Sequence, residues 1–182
     1  MTVIILIAVI VILAIWIASL YNSLVKLRNN RENAFADIDV QLKQRHDLIP
    51  QLVETVKGYA SHEKETLERV INARNGAISA KTIDDKIMAE NALTSALAGL
   101  KITLEAYPDL KANSNFQELQ AQLEGTENRI AVARTAFNEK TQAYNVAVRR
   151  FPANLVAGIL SFGQKPYFEA DDSAAQAPEV AF

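Results

Sequence analysis

The stretch VIILIAVIVILAIWIA, Val3 to Ala18, is an unbroken apolar run, and no charged side chain appears before Lys26. At a rise of about 1.5 Å per residue, a helix over this run and its flanks crosses a hydrocarbon core of roughly 30 Å. A helix satisfies its own backbone there, so a spanning helix is the natural reading. Two other readings fit less well. A cleaved signal peptide wants a basic start and small residues at a cleavage site, whereas no Lys or Arg precedes Lys26 and Ala18-Ser19-Leu20 is a poor match. A core helix of a soluble protein needs one apolar face, and this run is apolar on every side.

Charge sets the expected orientation. Lys26, Arg28 and Arg31 follow the run against the single acid Glu32, which by the positive-inside rule places the N-terminus outside and the rest of the chain in the cytoplasm. Trp16 and Tyr21 lie toward the same end, where amphipathic rings suit the interface. Trp16, Tyr21, Lys26, Arg28 and Arg31 are thus the expected membrane-flanking residues. The chain divides into an anchor over 1–21, a cytoplasmic helical body over 22–168 and a tail over 169–182. That tail is rich in Ala, Asp, Ser, Gln and Pro, with little to bury, and is expected to be disordered.

With 19 basic and 21 acidic residues and a formal charge of -2, the chain lacks the concentrated basic excess of a nucleic-acid binder. The absence of cysteine excludes disulfides, thiol catalysis and Cys-based zinc sites. Gly and Pro are scarce, and no sustained apolar-polar alternation marks a strand. The pattern predicts an all-α protein: a transmembrane helix followed by an antiparallel, coiled-coil-like bundle of long helices.

Beyond Tyr21 the helix is expected to run on. Ile38, Leu42, Ile49, Leu52, Val53, Val56, Tyr59, Val70 and Ile71 recur at steps of three and four, predicting a first long helix that ends near Ala80. Pro50 is the irregularity, with a kink or brief break expected, and Gly58 is a second soft point. A second helix is expected over 85–106, capped by Thr82 or by Asp84-Asp85, with Leu93, Leu97, Leu100 and Leu104 on one face. The third opens on the capping-box pattern Ser114 to Gln117. Phe116, Leu123, Ile130, Phe137, Tyr144 and Phe151 then fall at intervals of seven, beside a second row of Leu119, Thr126, Ala133, Lys140 and Ala147. Three antiparallel helices follow, with an apolar segment over 154–162 that covers the bundle end or lies on the membrane surface.

Several stretches together closely resemble the LemA family of bacterial membrane proteins. They are YNSLV from Tyr21, IDVQLK from Ile38, DLIP from Asp47, LVETVKGY from Leu52, YPDLKA from Tyr107 and LEGTENRIA from Leu123. Tyr144-Asn145, Phe151-Pro152 and KPYF from Lys165 complete the set, so the likeness spans nearly everything but the tail. The resemblance implies an N-terminal anchor, an N-out topology and a cytoplasmic bundle. It implies no catalytic activity and carries no functional residues over.

The residues themselves offer little catalytic chemistry. His62-Glu63 is only a fragment of a zinc-protease motif, and His46 lies apart from it. On a continuous helix the two imidazoles would stand about 24 Å apart, too far to share a metal. No phosphate-binding glycine loop and no nucleophile motif occur. The charges instead suggest recognition or register: Asp39, Arg45 and Asp47 on the first helix, and Glu124, Glu127 and Arg129 on the third. Arg45 stands seven residues from both Ile38 and Leu52, on an apolar row, and is expected to pair with Glu124 or Glu127. The expected protein is a single-pass helical scaffold of the bacterial inner (plasma) membrane, with no enzymatic activity, cofactor, metal or nucleic-acid partner. Its partners are the bilayer, through residues 3–20, and another protein or further copies of itself. The alternative is a self-assembling protein that organises or shapes the bilayer.

Overall fold

The computed structural model describes residues 1–168; the expected tail lies outside them. The described residues form six helices and no strand: α1 Thr2–Lys57, α2 Lys64–Ser79, α3 Ile83–Leu104, α4 Pro108–Lys111, α5 Ser114–Arg149 and α6 Ala153–Ile159. They form two compact units, 1–36 with 135–167, and 37–134 with Phe168. The apolar run opens α1 with a mean hydropathy of 3.3 and is unburied, long and apolar enough to cross a membrane.

In the unit of 37–134, four long helical segments pack up, down, up and down. Asp39 and Arg45 of α1 meet Lys86 and Thr94 of α3, so these two run parallel. Gln41 and Arg45 meet Arg129 and Glu127 of α5, so α5 runs opposite. The expected single helix to Ala80 is in fact two, because the chain turns at 58–63 and α2 folds back. Gly58 lowers the cost of ending α1 by about 1 kcal/mol relative to alanine. Folding back lets Leu67, Val70 and Ala77 bury against Leu52, Val53 and Val56, a gain of roughly 1.5–3 kcal/mol for each large aliphatic side chain. The turn is then fastened from the α3–α5 connection. Tyr107 Oη donates to Glu63 Oε1 at 2.9 Å, and Asn113 Nδ2 donates to Tyr59 Oη at 2.9 Å.

Pro50 neither breaks nor ends α1. A proline has no N–H for the carbonyl four residues back, which here is that of His46. Arg74 of α2 takes the vacant acceptor, with Nε at 2.7 Å. Thr82 caps α3 by accepting from the Asp85 N–H at 3.1 Å, while α5 is capped by Asn113, one residue before the expected Ser114, through the Phe116 N–H at 3.0 Å.

Along α5 the predicted first row is inward at Phe116, Ile130, Phe137 and Tyr144, but Phe151 lies past the helix and is exposed. The second row slips by one residue: Leu119 and Thr126 are followed by Thr141 and Val148, with Lys140 exposed. A straight helix drifts about 20° per heptad from a 3.5-residue repeat, so a strict row of sevens walks off the core.

In the unit of 1–36 and 135–167, Phe35 meets Phe137 edge-on with centroids 5.5 Å apart. Leu24, Tyr144, Val148, Val156, Ala157 and Phe162 form the core that seats α6. The segment after α6 is tied down by its backbone. Asn145 accepts from the Lys165 N–H and donates to the Lys165 carbonyl, both at 2.8 Å, and Tyr144 Oη donates to Gly163 O at 3.0 Å.

Candidate functional site: a buried charge cluster

Arg45 is wholly buried because the row of Leu24, Arg31, Ile38, Arg45 and Leu52, at steps of seven, faces inward along α1. Its guanidinium reaches two helices. Nη2 bonds Glu90 Oε2 of α3, and Nη1 donates to Thr94 Oγ1 at 3.1 Å and to Glu127 Oε1 of α5 at 2.5 Å. The other Glu90 oxygen lies 2.7 Å from His46 Nε2. With Arg74 on the His46 carbonyl, all four long helices of this unit are tied at one level.

Glu90 is almost fully buried, and desolvation alone would push its pKa up. The His46 hydrogen bond and the Arg45 charge outweigh burial and hold the carboxyl below its ordinary value of 4.5. The cluster is therefore an ion network at neutral pH, with Glu90 charged between two donors. Breaking such a network from one side is costly, since it strands a buried charge.

The other expected residues divide. Asp39 pairs with Lys86 at 2.5 Å, away from the cluster. Glu124, not chosen by Arg45, stands exposed 3.8 Å from Lys101. Arg129 donates to Gln41 at 2.8 Å, to Gln44 at 3.3 Å and to Thr126 at 3.1 Å. It shares with exposed Asp47 a polar groove of about 370 Å³ between α1 and α5. A second groove, of about 360 Å³, is apolar. Leu97, Leu104, Phe116 and Leu123 line it, with Lys101 and Glu124 among its polar residues.

Among the membrane-flanking set, Trp16, Tyr21, Lys26 and Arg28 are exposed. Arg31 is a correction: it is 3% exposed. It stacks 4.8 Å over the Phe137 ring and donates to Thr141 Oγ1 and Pro166 O, each at 3.3 Å. Its place seven residues from Leu24 and from Ile38 puts it on the inner row. Sequence reasoning missed Glu90, although it stands seven residues before Leu97 and fourteen before Leu104, an acid on an apolar row as Arg45 is a base on one. Arg74 carried no comparable signal, because its partner is a backbone carbonyl. Among the described residues, no group of three or more His, Asp or Glu is placed to hold a metal ion.

A family model described as LemA family matches residues 34–182, most of the chain. The chain belongs to the LemA family. It is similar to the magnetosome protein MamQ of Magnetospirillum gryphiswaldense, at 23% identity covering 88% of this chain and 70% of that protein. Protein LemA of Metamycoplasma hominis is 24% identical, covering 83% of this chain and 69% of the relative. Magnetosome protein MamQ 2 of Paramagnetospirillum magneticum is 21% identical, covering 82% and 64%. Together with the apolar helix, these likenesses make the chain a membrane-associated helical protein. Several of its LemA-like motifs fall on structural ties: Tyr59 and Tyr107 at the α1–α2 turn, Asn145 on Lys165, and Glu127 on Arg45.

Proposed function

We propose that this LemA-family protein is a single-pass, non-catalytic scaffold that holds a helical body on the cytoplasmic face of the bacterial inner membrane. One observation carries the reading: the buried charges are engaged in joining helices to one another. Arg45 is held by Glu90, Glu127 and Thr94, and Arg31 by Thr141 and Pro166. A catalytic site needs convergent polar groups left open to a substrate in a concavity, and these groups face one another instead. What the body presents outward is helix faces, among them the apolar groove beside Leu97 and Leu123, a surface suited to a partner helix.

Charge supports the orientation. The unit that contains the apolar run carries seven basic side chains against two acidic ones, Glu32 and Glu139. The described part of the other unit carries twelve basic against fifteen acidic. A basic excess next to a span marks the cytoplasmic side.

Two measurements test the proposal. The chain has no native cysteine, so Thr2→Cys and Val132→Cys each present one thiol to a membrane-impermeant maleimide. Labelling of Thr2→Cys on spheroplasts, and of Val132→Cys only in inverted vesicles, is the expected result; the reverse pattern overturns the topology. The mass of the full-length protein in nanodiscs tests the scaffold reading. A single copy leaves the body to other partners, while a defined oligomer favours self-assembly over it.

A further inference from the structure

The helix α6 carries apolar side chains on two faces. Val156 and Ala157 turn inward onto Leu24 and Tyr144. Leu155 and Ile159 turn outward at a four-residue step, with Phe151 exposed just before the helix and Leu160 just after it; Phe151 is 75% and Ile159 81% exposed. An outward stripe of large apolar residues on so short a helix has no counterpart in the core it serves.

Its placement identifies what covers it. Ser161 ends α6 in the left-handed region, at φ 58°, which a residue with a Cβ adopts at a cost of about 1 kcal/mol. That reversal lets the Phe162 N–H reach the Ala157 carbonyl at 2.9 Å and swings the Phe162 ring back. There it meets Tyr21 edge-on with centroids 5.8 Å apart. Tyr21 stands three residues beyond Ala18, the last residue of the apolar run. That contact sets α6 beside the end of the apolar run of α1, the level at which a spanning helix would leave the hydrocarbon. Exposed Lys26 and Arg28 on α1, and Arg149 and Arg150 just before Phe151, supply the positive charge that an anionic surface attracts.

We infer that α6 is a second, interfacial membrane contact: Phe151, Leu155, Ile159 and Leu160 insert into the headgroup–acyl boundary of an anionic bilayer. Together with α1 it makes a two-point attachment that fixes the tilt of the attached unit rather than leaving it to swivel. This rests on the anchor reading above.

Depth-dependent quenching in the full chain tests it. Single-cysteine variants Leu155→Cys and Ile159→Cys, with Ile10→Cys and Val132→Cys as references, carry an NBD label in phosphatidylglycerol/phosphatidylcholine vesicles containing a shallow nitroxide lipid. The label at 155 and 159 is expected to emit to the blue of that at 132 and to lose about twofold in intensity to the nitroxide, as a group 5–10 Å into the boundary does. If the label at 10 shows its membrane environment while those at 155 and 159 behave like that at 132, α6 does not touch lipid and the inference falls, the anchor standing. If the label at 10 is itself in water, the anchor reading fails and takes this one with it. Nitroxide-insensitive labels at 155 and 159 that instead self-quench as protein density rises would show a second copy covering the stripe, and that too overturns it.

Discussion

Replacing Glu90 by Gln probes the buried cluster most directly. Gln keeps the length of the side chain and a hydrogen bond for His46, but removes the negative charge facing Arg45. Arg45 has no solvent access, so its charge is left with Glu127, whose side chain is 38% exposed. Breaking a buried pair from one side costs about 3–5 kcal/mol; with Glu127 retained, the low end, about 3 kcal/mol, is expected. At a urea dependence of about 2 kcal/mol per molar, the unfolding midpoint falls by about 1.5 M. Glu127→Gln removes a carboxylate that water already screens, and should cost about 1 kcal/mol. The double variant Arg45→Met/Glu90→Leu leaves only the Glu127 carboxylate without its partner, a group 38% exposed to water, and should be more stable than Glu90→Gln alone. The assay is helix loss at 222 nm for the full chain in nanodiscs. Equal costs for Glu90→Gln and Glu127→Gln, or a double variant worse than the single, would refute the view that burial of Arg45 sets the energy scale.

Further outcomes follow from other ties. Because Glu90 titrates below its ordinary value when folded, its contribution is present above about pH 4.5 and is lost as pH falls through the lower folded pKa; Glu90→Gln should flatten that part of the acid-unfolding curve. Arg74→Met leaves the His46 carbonyl without its donor and should destabilise by about 1–2 kcal/mol. Adding Pro50→Ala restores a helical N–H to that carbonyl, so the pair should be coupled by about 1 kcal/mol in a double-mutant cycle, and simple additivity would refute the compensation. Asn145→Ala removes both bonds to Lys165, about 2 kcal/mol in sum. The Lys165 amide should then exchange its hydrogen roughly 30-fold faster, and unchanged protection would show that the ties are idle. Thr82→Ala should cost about 1 kcal/mol as a lost cap of α3.

What could be read from the chain alone were properties set by local chemistry. The apolar run at Val3 to Ala18, the helical period of the body and the inward row of α5 need only side-chain polarity and spacing. Arg45 stood out because a charge on an apolar row is an anomaly visible in one dimension. Three features were decided by tertiary packing. The turn at 58–63 has only Gly58 to announce it, and exists because α2 gains more by burying Leu67 and Val70 against Val53 and Val56 than by continuing past Lys57. Pro50 could stay inside α1 because Arg74, distant in sequence, supplies a donor to the carbonyl it orphans. Arg31 looked like a cation for the membrane surface and is a buried one, because Phe137, Thr141 and the Pro166 carbonyl converge on it. Periodicity states which residues face a partner; which groups wait there to satisfy a charge or a carbonyl is settled only when distant segments meet.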